Sequence, residues 1–112
     1  MVDQLDAFVN ITISITAEGH ATIACNPSTD CTQTVVQNTN ATVHFDVTNN
    51  TANSDTIFGA LYDTPGMTGG NMVGPELFRE TFTANQTKSK TVMILMGTTP
   101  FAGSIRVGHV VG

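Results

Sequence analysis

FVNITISIT, residues 8–16, alternates apolar and polar side chains without interruption. One set of alternate positions is entirely apolar and consists of Val9, Ile11, Ile13 and Ile15. A period of two is typical of a β-strand with one buried face and one face toward solvent. This stretch therefore predicts a half-buried strand that needs a second layer of structure to cover it.

The same alternation continues along the chain. It is clearest over residues 41–48 and recurs over shorter stretches at residues 21–25 and 104–107. Residues 32–37 and 56–62 also predict strands, and residues 77–83 predict a strand or, as the alternative, a short helix starting at Pro75-Glu76. TVMILM, residues 91–96, is an unbroken run that we expect to form a central strand. No segment has helical periodicity over ten residues. The predicted core comprises Val9, Ile11, Ile13, Ile15, Val43, Phe45, Val47, Ile94 and Ile105.

These strands, about eight in number and bounded by turn residues, predict an all-β fold. We expect an antiparallel β-sandwich, or a jelly-roll-like variant of one, formed by residues 9–112 as a single domain. Residues 1–8 precede the main pattern and are interpreted as an N-terminal arm.

The composition restricts the classes of function. Charged residues make up 12% of the 112 residues, the formal net charge is −5, and Thr and Asn occur 19 and 9 times. The four basic residues form no stripe, which argues against nucleic-acid binding. No apolar run is long enough to insert into a membrane, and the first residues lack the basic region of a signal peptide. A Thr-rich, weakly charged exterior is common on virion-exposed and extracellular β proteins.

Cys25 and Cys31 are the two cysteines of the chain, and they flank a turn between two predicted strands. We expect them to form a disulfide. Two alternatives remain open from the sequence, namely two reduced core cysteines and a metal site shared with His20. The spacing does not match the paired cysteine motif of zinc sites.

No catalytic constellation can be identified. The three histidines and nine carboxylates are scattered, and the glycine-rich stretch 66–74 lacks the lysine of a phosphate-binding loop. The polar loop 46–55 lacks the ligand spacing of an EF-hand, although calcium binding there remains an alternative. The sequence therefore predicts a protein that is not an enzyme, with no cofactor and no metal. Four N-x-Thr motifs begin at Asn10, Asn40, Asn49 and Asn85.

Two segments are candidates for contact with other subunits. The arm carries apolar side chains that need a partner surface, and the irregular loop 63–75 is too long for an ordinary hairpin connection. The candidate contact residues are Val2, Leu5, Phe8, Met67, Met72 and Val73.

These features favour a structural assembly protein. The leading hypothesis is a small virion protein that decorates or cements a capsid, binding itself or a major capsid protein. The alternative is a subunit of an extracellular or cell-surface filament joined by strand exchange. The alternative of another class is a carbohydrate-binding or ligand-binding module, which the absence of Trp and the single tyrosine, Tyr62, disfavour.

Overall fold

The computed structural model describes residues 8–17, 21–66 and 68–110. They contain eight β-strands and one short 3-10 turn. The strands are β1 (Phe8–Ala17), β2 (Ala21–Cys25), β3 (Thr32–Val36), β4 (Asn40–Asn49), β5 (Asp55–Tyr62), β6 (Phe78–Phe82), β7 (Thr87–Leu95) and β8 (Phe101–His109). The 3-10 turn, Ser28–Cys31, leads into β3. Within these ranges, no helix is long and apolar enough to cross a membrane.

The strands form two sheets, which confirms the predicted all-β sandwich. The larger sheet has the order β3-β1-β8-β5-β6, and the smaller has the order β2-β4-β7. All neighbouring strands are antiparallel except β1 and β8, which run parallel from the Ile11–Phe101 pair to the Ala17–Val107 pair. This parallel pair of first and last strands was not predicted, because periodicity carries no information about strand order.

The core lies between the two sheets and follows the sequence alternation. Eight of the nine predicted core residues are buried, and Ile15 is partly buried against the same cluster. Phe78 and Phe82 also belong to the core, and the Phe78 ring lies 6.4 Å from that of Phe45. Gly59 faces Phe78, and a Cβ at Gly59 would overlap that ring. Glycine at this position therefore allows the two strands to share the core.

The assignment of residues 91–96 to a central strand was wrong. Their strand, β7, is an edge of the three-stranded sheet, and β4 is its centre. Val92, Ile94 and Met96 are buried, whereas Met93 and Leu95 are 62% and 77% exposed on the opposite face. The apolar run at residues 91–96 therefore belongs to a strand that is covered on one face only.

The predicted disulfide between Cys25 and Cys31 is confirmed, with the two Cα atoms 6.0 Å apart. Cys25 ends β2, which is an edge of the small sheet, and Cys31 precedes β3, which is an edge of the large sheet. The bond therefore links one edge of each sheet. The metal alternative for these cysteines is overturned, since disulfide sulfurs are not thiolate ligands.

Candidate functional site

Several chain segments meet at one end of the sandwich. β1 and β8 begin there, and β3, β5 and β7 end there, as their pairing registers show. The turn before β4 is bonded to the segment after β7, with the Asn38 N–H donating to the Gly97 carbonyl at 3.2 Å and the Met96 N–H donating to the Thr39 carbonyl at 2.9 Å. The arm and the loop 63–75, which are separate in sequence, both join the sandwich at this end.

Exposed apolar side chains are concentrated at the same end. Among the described residues, all the large exposed hydrophobic side chains except Val110 lie at or beside this end. We term these five residues the apolar pole: Phe8 (60% exposed), Met72 (47%), Val73 (37%), Met93 (62%) and Leu95 (77%). The two turns between them, residues 37–39 and 97–100, contain no charged residue. The five side chains are distributed around this end: Phe8 and Met72 lie on the outer face of the large sheet, Val73 lies on the loop 63–75, and Met93 and Leu95 lie on the outer face of the small sheet. Exposed apolar groups gathered at one end of a molecule make that end a candidate contact site.

The predicted contact residues are only partly represented in this surface. Phe8, Met72 and Val73 are exposed, and their role in subunit contact stays a prediction. Val2, Leu5 and Met67 lie outside the described residues. Sequence reasoning missed Met93 and Leu95, because an unbroken apolar run was taken to indicate a strand covered on both faces.

Met93 and Leu95 interrupt an otherwise polar surface on the outside of the small sheet. Farther along this face, the Thr48 and Thr87 hydroxyls lie 2.7 Å apart, and the Ser89 hydroxyl donates to the Asp46 carboxylate at 2.7 Å. Cross-strand polar contacts of this type suit a solvent-exposed face. The two apolar residues make no comparable contribution to the fold, so their exposure requires another explanation.

The outer edge of β7 presents unpaired backbone groups. Among the described strands, only β4 pairs with β7. In an antiparallel ladder, alternate residues direct their N–H and C=O groups to the same neighbour. Met96 directs its N–H toward the β4 side, so the odd-numbered residues Thr91, Met93 and Leu95 direct theirs to the free edge. This edge can accept another strand.

One half of this edge is protected by charge. Lys88 and Lys90 point inward from β7 and meet Glu80 of β6, and Lys88 Nζ lies 3.2 Å from Glu80 Oε1. Their ammonium groups also lie 4.8 and 5.1 Å from the ring centroids of Phe82 and Phe78. Inward-pointing lysines discourage the addition of a strand that carries no acidic group to meet them.

The other half of the edge, nearer the pole, is open. A concavity of about 460 Å³ lies there between β7 and the edge of the large sheet. Most of its lining is apolar and includes Leu61, Val73, Leu77, Val92, Ile94 and Phe101. The open half therefore combines free backbone groups with an apolar groove.

The loop 63–75 is fixed to the large sheet by Arg106. The Arg106 Nε–H donates to the Gly66 carbonyl at 2.7 Å, and Nη2 donates to the carbonyls of Gly69 at 2.8 Å and Thr68 at 3.0 Å. The guanidinium carbon also lies 4.0 Å from the ring centroid of Tyr62. A planar fork of donors suits several carbonyls held at fixed positions. Nothing in the sequence pattern distinguished Arg106 from any other exposed strand residue.

The exposed residues of the loop rest on a hydrogen-bonded base. The Asp63 N–H donates to the Asn71 carbonyl at 3.0 Å, and the Asn71 N–H donates to Asp63 Oδ1 at 2.7 Å. The Val73 N–H donates to the Leu61 carbonyl at 2.7 Å. Met72 and Val73 are therefore held in place at the pole.

A second concavity, of about 210 Å³, lies on the outer face of the large sheet. Phe58, Tyr62, Glu76 and Arg106 are among its lining residues. Arg79 lies over the Phe58 ring at 4.7 Å and donates two hydrogen bonds to Glu76, which lower the pKa of Glu76 and raise that of Arg79. Each ring thus has a guanidinium against one face.

The remaining polar groups of the described residues do not assemble a metal site. The Asp46 carboxylate accepts hydrogen bonds from Ser89 and Asn26, which lower its pKa, and Asp55 Oδ2 lies 3.1 Å from His109 Nδ1. The loop between the two aspartates therefore does not gather them around one point. Within residues 8–17, 21–66 and 68–110, no group of three His, Cys, Asp or Glu residues is placed to hold a metal ion. His20 lies outside these ranges.

Asn49 differs from the other three asparagines of N-x-Thr motifs. It is fully buried, and its amide donates hydrogen bonds to the carbonyls of Asn53 at 2.9 Å, Thr83 at 3.1 Å and Phe82 at 3.3 Å. Asn10, Asn40 and Asn85 are exposed. In the folded protein the Asn49 amide is therefore a structural bridge between two loops and is not accessible for modification.

Comparisons with protein-family models, with curated proteins and with solved structures give no significant match to this chain, so the case for its function rests on the geometry of the apolar pole.

Proposed function

We propose that this protein is a structural assembly subunit that binds other protein subunits through its apolar pole, and that it acts as a capsid-decorating protein of a virion. The observation that carries the proposal is the gathering of exposed apolar side chains at one end of the sandwich. Two of them lie on a loop fixed by Arg106, and two lie on a strand with a free edge. Apolar side chains held on a rigid framework bind a partner at little cost in conformational entropy.

The charge distribution supports a protein partner. The pole-side turns are uncharged although the whole chain carries a formal charge of −5. Depletion of charge and enrichment of Met and aromatic residues are features of the cores of protein interfaces. Repulsion between copies is therefore weakest where the apolar groups are displayed.

The choice of a capsid rests on composition, namely the small size, the Thr-rich surface and the low density of charge. A filament subunit is the alternative assembly, and the open edge of β7 suits it equally well. Electron microscopy of the native source distinguishes a decorated shell from a fibre.

A ligand-binding module is the second candidate, favoured by the concavity of about 210 Å³ beside Phe58 and Tyr62. Sugar recognition commonly uses the free face of an aromatic ring. Here arginines occupy one face of both rings. We therefore place this function behind assembly.

Substituting Met93→Lys together with Leu95→Lys tests the proposal. Burial of such side chains is worth about 1.5–3 kcal/mol each, so the double variant loses about 3 kcal/mol of association energy, or roughly 100-fold in Kd. The measurements are sedimentation equilibrium of the pure protein and co-sedimentation with shells from the native source. Both residues are exposed, so the fold is expected to remain intact in circular dichroism.

Ala24→Lys is the matched control, because Ala24 is exposed on the same face of the small sheet but on its opposite edge strand. It is expected to leave association unchanged. Equal association of the wild-type protein and the double variant, with both folded, would show that the pole is not the contact surface.

A further inference from the structure

We infer that residues 1–7 of one copy add a strand to the free edge of β7 in a second copy, and that two copies exchange these strands while meeting pole to pole. The inference rests on the proposed assembly function and names the partner at the same surface as a second copy of this chain. Three features of the chain carry it: the open edge, the charge pattern of the arm and the position of β1.

Two features of the β7 edge favour the addition of a strand. Thr91, Met93 and Leu95 direct their N–H and C=O groups away from β4, and no described strand pairs with them. The groove beside them is lined with apolar side chains, including Val92 and Ile94. An added strand supplies hydrogen bonds and apolar cover together.

Residues 1–7, the part of the arm before β1, are long enough to pair along this edge. Seven residues in an extended conformation span about 23 Å, which is also the span of the seven residues Lys88–Ile94. The arm joins β1 at Phe8, at the pole end of the sandwich where the groove is open.

The charge pattern selects the direction of pairing. In a parallel arrangement with Leu5 opposite Val92, Ala7 lies opposite Ile94 and Asp3 lies opposite Lys90. Leu5 and Ala7 then cover the apolar half of the edge, and Asp3 meets Lys90.

The antiparallel arrangement lacks this complementarity. With Leu5 opposite Val92, it would put Asp3 opposite Ile94, in the apolar groove. A one-residue slip of the parallel register would turn Leu5 and Ala7 away from the groove, because alternate side chains point to opposite faces. Burying an unpaired carboxylate is costly, so the parallel register with Leu5 at Val92 is the favoured one.

The strand has to come from a second copy. Ala7 is bonded to Phe8, and Phe8 is paired with Val36 in the outer part of the large sheet. Ile94 belongs to β7 of the small sheet, which faces the large sheet on the side of β5 and β6. Strands are spaced about 4.8 Å apart and the facing sheet lies about 10 Å away, whereas consecutive Cα atoms are about 3.8 Å apart. Ala7 therefore cannot reach Ile94 of its own chain.

The strand directions determine the symmetry. β7 runs toward the pole, and β1 runs away from it. An arm that pairs in parallel with the partner's β7 therefore also runs toward the partner's pole. There it crosses into its own subunit and continues as β1 of that subunit, in the opposite half of the dimer. The same relation holds for the second arm, which gives a closed two-fold pair with the apolar poles facing each other.

Cysteine cross-linking tests the exchange. Gln4→Cys and Thr91→Cys, combined in one chain, place two thiols on the outer face of the added strand pair at a spacing that a disulfide can bridge. The native cysteines are bonded to each other and do not compete. Mild oxidation of the full-length double variant is expected to give a covalent dimer on a non-reducing gel. Each single variant, and the pair Gln4→Cys with Thr22→Cys on the far edge strand β2, are expected to give no covalent dimer on the gel.

The inference fails if the double variant forms only an intrachain disulfide, or if it associates as strongly as wild type without cross-linking. Neither result touches the pole proposal, which depends on the Met93→Lys, Leu95→Lys measurement. A wild-type protein that binds shells but never self-associates would likewise overturn the exchange and leave the proposed function standing.

A pair of arm substitutions gives an independent readout. Leu5→Asp places a charge over the apolar groove and is expected to raise the dimer Kd by at least about tenfold. Gln4→Asp adds the same charge to the neighbouring residue on the outer face and is expected to change the Kd by less than about threefold. Equal effects of the two variants would contradict the register.

Discussion

Arg106→Ala is the substitution that most directly connects the fold with the apolar pole. Arg106 donates to three backbone carbonyls of the loop 63–75, those of Gly66, Thr68 and Gly69. We expect the variant to remain folded, because the side chain lies on the outer face of the large sheet and leaves the core untouched. The loop is expected to open more often.

The magnitude follows from the bonds that are lost. A hydrogen bond from a charged donor contributes about 1.5–3 kcal/mol when its acceptor would otherwise be unpaired. The released carbonyls belong to a surface loop, so water replaces much of this energy, and we expect loop opening to become easier by about 2 kcal/mol. This corresponds to about 30-fold in the opening equilibrium.

Hydrogen exchange measured residue by residue is the assay. The amides of Asp63, Asn71 and Val73 are bonded within the loop or to its base and report its opening. Their protection factors are expected to fall about 30-fold, while those of β4 stay unchanged.

Arg79→Ala is the control, since Arg79 also covers a ring on this face but bonds Glu76 and none of these loop carbonyls. Unchanged protection of the three loop amides in folded Arg106→Ala would refute the role assigned to Arg106.

Three further predictions concern stability. Phe45→Ala is expected to lower the free energy of unfolding by about 3–5 kcal/mol in urea denaturation, because Phe45 is 1% exposed; a loss below about 1 kcal/mol would contradict its place in the core. Reducing the Cys25–Cys31 bond is expected to lower that free energy by roughly 2 kcal/mol, since it releases a loop of few residues. Alkylation of both thiols without prior reduction would show that the bond does not form in solution. The side chain and the backbone N–H of His44 both bond the Asp30 carboxylate, and these contacts lower the pKa of Asp30. The stability that they contribute is therefore complete above the unfolded pKa of Asp30, about 3.9, and is lost as the pH falls through the lowered pKa of the folded protein. Wild type should therefore lose stability more steeply than Asp30→Asn below about pH 4, and parallel curves would count against this ion pair.

Local sequence determined the strands, and for most of them the buried face. Val43, Phe45 and Val47 alternate with polar residues, and all three are buried in β4. Cys25 and Cys31 were placed by the same reasoning at the ends of a short turn, close enough to bond. Such features succeed because side-chain period, turn residues and short loops act over a few residues.

The order of the strands in each sheet could not be predicted from the sequence and is known only from the tertiary structure. Met93 and Leu95 appeared in the sequence as part of a buried run and are exposed because no described layer covers the outer face of the small sheet. Arg106 looked like an ordinary polar position, and its role exists only because the loop 63–75 folds back over it. The convergence of Phe8 with that loop at one pole depends on the parallel pairing of β1 with β8. The physical reason is that periodicity reports which side of a strand is apolar, whereas neighbours, edges and surface clusters are set by pairings between residues far apart in the chain.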